Sequence, residues 1–287
     1  MGSAKWYLLN SHVTCILLDW GITVLTVPYL ILPVIGGYPL GILRWFGVPI
    51  VVQIYVSMTM VSFTVTSIVL IFENRFYQLY AINSSWRYLR IPFIITNYLL
   101  DATHVLPACL MVPDQKVALE FAYKRIPNLS DETKAETLFF LGIDFWIQIP
   151  YFLIGLKTAV QVCLFIWLIN RNMSLESRRF TRSENTTNLQ RKFLKAIKAQ
   201  LMVLAINFLL PQTYTMVSFI THYYNQFANN LVIIAVSLHG INSTLIMLWA
   251  HKTYREYCFT IFKKIRSVLG CTSVSAVSPT SSLTVLT

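Results

Sequence analysis

Long runs almost free of charge alternate with short polar stretches through most of this chain. The clearest is VPIVVQIYVSMTMVSFTVTSIVLI, residues 48–71, which carries no charge and then meets FENRFY, where Glu73 and Arg75 arrive close together. An α-helix rises about 1.5 Å per residue, so about 20 apolar residues cross the roughly 30 Å hydrocarbon layer of a bilayer. By that measure six spans are predicted: Leu8–Pro33, Val48–Ile71, Ile91–Met111, Trp146–Ile169, Ala196–Ile220 and Ala228–Ala250. Nothing resembles the ten-residue alternation of a membrane β-barrel. The expected fold class is an all-α membrane protein, a transmembrane helix bundle over residues 1–270.

Beyond the last span, TYREYCFTIFKKIRSVLG has a different pattern. Cys258, Ile261, Phe262, Ile265 and Leu269 recur at helical spacing, with Arg255, Lys263, Lys264 and Arg266 on other faces. This predicts a short amphipathic helix over 254–269 lying on the membrane surface and ended by Gly270. Residues 271–287 carry no charge and are rich in Ser and Thr, as expected for a disordered tail open to phosphorylation.

Composition agrees with the pattern. The 287 residues are 55% hydrophobic and 12% charged, with a mean hydropathy of +0.58. A soluble domain carries about 25% charged residues, so this chain has too few to coat a globular surface.

The charge distribution then predicts orientation. An even number of spans puts both ends on one side. If that side is the cytosol, 17 of the 23 Lys and Arg lie inside, five lie outside, and Lys157 sits within a span. That asymmetry is the positive-inside pattern. It assigns the formal net charge of +11 to anchoring against anionic lipid, and nucleic acid is not an expected partner. Tryptophans and tyrosines such as Trp6, Trp45, Trp86, Trp146 and Tyr223 gather at the span ends, as in an interfacial belt.

The N-terminus lacks the cleavage site and the uninterrupted apolar core of a signal peptide. Cys15, Cys109 and Cys163 fall inside spans and are expected as small buried hydrophobes. Cys258 and Cys271 are either palmitoylation sites or free thiols. The loop 112–145 is the longest on the outer side and carries a sequon at Asn128. No protease, nucleotide-binding, hydrolase or metal-binding motif is present, so neither an enzyme nor a cofactor is expected.

Ionisable groups inside a membrane are costly and face the bundle interior. Here they are Asp19, Asp101, His104, Lys157 and His239. Asp101 and His104 are three apart on one helix face. They form part of a ligand pocket or satisfy each other. Lys157 is a pocket cation or a partner for Asp19 or Asp101. Pro211, in NFLLPQTY, removes a helix hydrogen bond and makes either a hinge or a static kink.

Several stretches together carry a family resemblance: PYLILPVIGGYPLG, FENRF, NFLLPQTYTMVSF and YYNQFANNLVIIAVSLHGINSTLIMLWAHKTYRE. They cover most of the chain, which resembles a nematode serpentine chemoreceptor of class H (Srh). The resemblance departs at Thr253, where the family usually has Pro. It implies a GPCR-like bundle and aligns Lys5-Trp6 with the family's first cytoplasmic loop. On that alignment the first of seven helices is absent, and family helices 2–7 are the six spans.

By position, Glu73 and Arg75 resemble the acidic–Arg pair that holds rhodopsin-like receptors at rest, although residues two apart on a helix do not face each other. No Cys lies in 112–145, so the outer disulfide of rhodopsin-like receptors is not expected.

The implied function is a G-protein-coupled chemosensory receptor in the plasma membrane of a sensory cilium. It would bind a small-molecule or peptide cue in an outer-half pocket and signal to a heterotrimeric G protein. Expected pocket residues are Gln53, Asp101, His104, Gln148, Tyr151, Gln212 and Tyr214. Expected switch positions are Glu73, Arg75, Pro211 and His239. The other readings are a six-span channel or transporter and a non-functional truncated receptor. Against a channel, no span carries Arg at every third position and no TVGYG-like filter occurs.

Overall fold

The computed structural model of the protein describes residues 2–127, 129, 137–178, 198–199, 201–203, 205–250 and 252–268. It is a bundle of apolar helices capped at one end by a small sheet. Among the described residues, five helices are long and apolar enough to cross a membrane. A bent pair of shorter helices makes a sixth if counted as one span.

The first helix, α1 (Gly2–Trp20), runs into a π-helical turn, Gly21–Thr26. It does not reach Pro33 as expected. Val27 adopts a left-handed conformation, and Pro28–Ile31 (β1) turns back through Ile35–Pro39 (β2) as a hairpin. The Gly36-Gly37 pair allows this. Gly37 has φ +155, and a Cβ there would run into the Tyr29 carbonyl oxygen. Tyr29 and Tyr38 face each other across the hairpin with rings stacked at 4.8 Å.

Next comes α2 (Ile50–Phe76), prolonged by a π-turn over Tyr77–Ala81. Then α3 (Trp86–Thr103) contains Pro92, and α4 (Leu106–Leu110) continues it after a short break. The helix α5 (Gln115–Arg125) begins at Asp114, whose carboxylate accepts from the amides of Lys116 and Val117. Such a cap stabilises a helix by about 1 kcal/mol. β3 (Phe139–Gly142) adds antiparallel to β2 and completes a three-stranded sheet. Gln115 holds it from the side: its Nε2 donates to Phe140 O at 3.1 Å and its Oε1 accepts from Phe140 N at 2.8 Å. With no Cys in 112–145 to form an outer disulfide, these pairings tie the described part of the long loop down.

A 3-10 turn, Phe145–Gln148, leads into α6 (Ile149–Arg178). After a π-turn over Ala205–Leu209 come α7 (Leu210–Thr221), α8 (Gln226–Ser237), α9 (His239–Ala250) and α10 (Lys252–Val268). α8 and α9 are the bent pair, at 42°. On α10 the apolar Tyr257, Phe259, Ile261, Phe262 and Ile265 are all exposed, which is the composition of a surface helix.

α2 is the axis of the bundle, with α1, α3, α4 and α6 packed around it. Leu18, Ile68, Val69, Phe72, Val162, Phe165 and Phe208 make the central core. Polar contacts supplement packing between α1 and α2. Thr14 Oγ1 donates toward Ser67 Oγ at 3.2 Å, and Thr64 Oγ1 lies 3.2 Å from Thr14 O. In lipid, where hydrocarbon surrounds the helices anyway, such contacts and close packing replace hydrophobic drive. A second core lies under the sheet, built from Ile31, Val34, Ala118, Ala122, Ile126, Leu129 and Phe140.

Candidate ligand-binding site

Beneath the sheet lies a cavity of about 220 Å³. It sits at the small end of pockets for drug-sized molecules, which run from about 300 to 1,000 Å³. Its roof comes from β1, β2 and β3, and its walls from the turn after α1 and from α2, α4, α6, α7 and α8. The hairpin reaches this position because Asn229 and Gln226 of α8 hold it. The Asn229 side-chain oxygen accepts from Leu32 N at 3.1 Å, and Gln226 Nε2 donates to Leu30 O at 3.0 Å.

Four of the residues expected in a pocket line this cavity: Gln53, His104, Gln148 and Tyr151. Gln53 is buried, with Nε2 donating to Val48 O at 2.8 Å and Oε1 without a partner. His104 is buried, its ring stacked on Tyr151 at 6.5 Å between centroids. Its Nδ1 lies 2.8 Å from Asp101 O and its Nε2 lies 3.4 Å from Ser62 Oγ.

The other three expected residues are outside the lining. Asp101 is fully buried and lies 3.0 Å from Lys157 Nζ, bridging α3 and α6. Of the partners open to Lys157 in sequence, the fold therefore selects Asp101. Gln212 packs on Gly155, where any Cβ would meet its amide, and its Nε2 donates to Tyr151 O at 3.3 Å. Tyr214 Oη lies 2.8 Å from the Asn229 amide and joins α7 to α8. Gln212 and Tyr214 thus brace the wall behind the cavity.

Sequence reasoning missed much of the lining. Thr26, Ser57 and Thr215 contribute polar groups, and the hairpin contributes its roof. A signal existed in PYLILPVIGGYP, where apolar residues flank a Pro and paired Gly at hairpin spacing. It was masked by the apolar run it adjoins.

The opposite end of the bundle holds a polar cluster. Glu73 is fully buried, and its partner is Arg90 rather than Arg75. Arg90 Nε lies 3.0 Å from Glu73 Oε1 and 3.1 Å from Oε2. Trp86 Nε1 donates to Glu73 Oε1 at 2.8 Å. Arg90 Nη2 donates to Asn74 Oδ1 at 2.6 Å and to the Tyr7 hydroxyl at 3.0 Å. The guanidinium also lies over the Tyr77 ring at 4.2 Å. One arginine therefore ties α1, α2 and α3 together. Trp86 and Arg90 are four apart on α3 and share a face, a spacing that sequence reading passed over.

Pro211 and His239 mark two irregular points that meet. The π-turn Ala205–Leu209 precedes Pro211, so the turn missing a donor falls where the helix is already wide. His239 begins α9 just after the bend and is buried, with its ring edge-on to Phe208 at 4.7 Å. Beside it, the Asp19 carboxylate reaches the backbone at Gly240, where a Cβ would collide with it. Asn128, the candidate glycosylation site, lies outside the described residues.

Among the described residues no His, Cys, Asp or Glu cluster has the geometry to hold a metal. The family model for the serpentine type 7TM GPCR chemoreceptor Srh matches residues 1–264. No curated protein and no solved structure matches the chain.

Proposed function

The chain belongs to the Srh family of serpentine 7TM GPCR chemoreceptors, and on that premise we propose that it binds a small chemical cue in the cavity under the sheet and signals to a heterotrimeric G protein. The observation that carries this reading is the cavity itself, which brings together Gln53, His104, Gln148 and Tyr151 from three separate parts of the chain. Ligand sites between helices of a bundle have this form: mostly apolar walls with a few convergent polar groups.

In this reading the sheet end faces outside, and the cluster around Arg90 faces the cytosol of a sensory cell. Asn128, in the loop before β3, is the glycosylation site. The switch pairs Glu73 with Arg90 instead of Arg75. Such a buried pair at a bundle end biases a two-state equilibrium, because opening it exposes both charges to a new environment. The Pro211 turn and the bend at His239 let the helix ends below them move while the cavity walls stay braced. A cue acts by binding one state more tightly than the other.

The test uses the full chain in cells carrying a G-protein reporter, challenged with a panel of small odorants, with surface display measured by an epitope tag. Ala108 lines the cavity, so Ala108→Trp fills it and is expected to remove cue responses at unchanged display. Arg90→Ala is expected to raise cue-independent signalling several-fold. Responses that survive Ala108→Trp in full would rule out the cavity as the cue site.

A further inference from the structure

Arg90 divides its guanidinium between two tasks. Glu73 meets one nitrogen of it, Nε, with its carboxylate oxygens at 3.0 and 3.1 Å. The terminal Nη2 serves other partners. It donates to Asn74 Oδ1 at 2.6 Å and to the Tyr7 hydroxyl at 3.0 Å. The flat cation also stands over two rings, with Cζ 4.2 Å from the centre of Tyr77 and 5.2 Å from that of Tyr7. A lysine ammonium would supply the same charge. It is a point charge on a flexible stem, and it lacks the planar fork that sets these directions.

The partners lie on different helices. Glu73 and Asn74 belong to α2, and Tyr77 to the π-turn that prolongs it. Tyr7 belongs to α1. Tyr7 and Asn10 are three apart and share the face of α1 turned to α3. About one turn beyond Tyr7, Asn10 Nδ2 donates to the Tyr98 hydroxyl at 2.8 Å.

In the other direction α1 runs on to the cavity. Its π-turn places Ile22 and Thr26 in the cavity wall, and the strand that follows is part of the roof. At 1.5 Å per residue, Ile22 stands about 22 Å along the helix from Tyr7. The same helical run therefore touches the cavity at one end and the guanidinium at the other.

We propose that Tyr7 is a positioning residue of the signalling switch: from α1, whose far end lines the cavity, it holds the Arg90 guanidinium in its resting direction. The resting restraint is then the shape of the guanidinium and not its charge. The inference rests on the switch read above at Glu73 and Arg90.

The test uses the full chain in the same reporter cells with no odorant added, and signalling is divided by surface display. Tyr7→Phe keeps the ring and removes one hydrogen bond, so cue-independent signalling is expected to rise roughly fivefold. Arg90→Lys keeps the charge and is expected to signal at least as strongly as Tyr7→Phe. Tyr7→Phe added to Arg90→Ala is expected to change nothing further, because the hydroxyl then has no guanidinium to position. A residue that merely supported the fold would lower display, and its effect would add to that of Arg90→Ala.

Arg90→Lys signalling at the level of the natural chain overturns the inference, because charge would then suffice. Tyr7→Phe at that level overturns it too, as does an effect of Tyr7→Phe that adds to Arg90→Ala. Where Tyr7→Phe does not reach the surface, Arg90→Lys decides. If Arg90→Ala itself gives no rise, the switch reading falls and Tyr7 with it. If Arg90→Ala gives a rise and the other two variants do not, the role of Tyr7 falls and the switch reading stands.

Discussion

Asp101 and Lys157 illustrate how one residue's place is fixed by another's cost. A charge at the centre of a bilayer costs about 2.5–3.5 kcal/mol on insertion scales. Asp101 is fully buried, so its carboxylate needs the ammonium 3.0 Å away. Removing one partner leaves the other stranded, whereas removing both leaves a nearly neutral site. Lys157→Met is therefore expected to lower stability by about 3 kcal/mol, read as a drop in the unfolding midpoint in nanodiscs. Asp101→Asn combined with Lys157→Met is expected to recover most of it, and a double-mutant cycle measures the coupling. Losses in the two single variants that simply add in the double variant would show that the pair carries no interaction. Glu73 is held differently. It has Trp86 as well as Arg90, so its neutralisation is shared with a hydrogen bond that survives loss of the arginine.

At the scale of elements, the sheet replaces a covalent staple. β1, β2 and β3 are joined by ladder hydrogen bonds, and Gln115 closes the open side of β3 with two bonds to Phe140. The weak point is Gly37, where a side chain would strike the Tyr29 carbonyl in the paired strand. Gly37→Ala is expected to open the hairpin and unroof the cavity. Hydrogen exchange at the amides of residues 28–39 would rise by at least tenfold, while that of the α2 core would not change. Uniform exchange in both regions of the variant would mean that the sheet and bundle unfold together. The helices show a related economy. The π-turn before Pro211 and the bend before His239 are both departures from regular helix, and they touch through Phe208 and His239 at 4.7 Å.

For the whole molecule, the polar ends differ in kind. The sheet end carries the covered cavity, and the other end carries an arginine hub joining three helices. The orientation proposed above, with the hub in the cytosol, follows the positive-inside pattern and can be tested. Expression of the full chain in animal cells should then add a glycan at Asn128, seen as a mass decrease on enzymatic deglycosylation that is absent from Asn128→Gln. A chain that reaches the surface with no such decrease would speak against this orientation.

The sequence by itself determined the class of the molecule. Apolar runs of bilayer length such as 48–71 leave the backbone no choice but helix, because each unpaired amide in hydrocarbon costs several kcal/mol. It also determined the family, through motifs spread along most of the chain. Four of the seven residues expected in a pocket line the cavity, because a polar side chain within an apolar span has few places to point except inward.

Tertiary structure alone decided the rest. Hydropathy does not distinguish an apolar strand from an apolar helix, so the first span was read through Pro33 although its helical turn ends at Thr26. Pairing was likewise invisible. Glu73 found Arg90 rather than Arg75, and Lys157 found Asp101, because salt-bridge partners are chosen by the few ångströms between helix faces. Sequence spacing fixes those distances only within one helix.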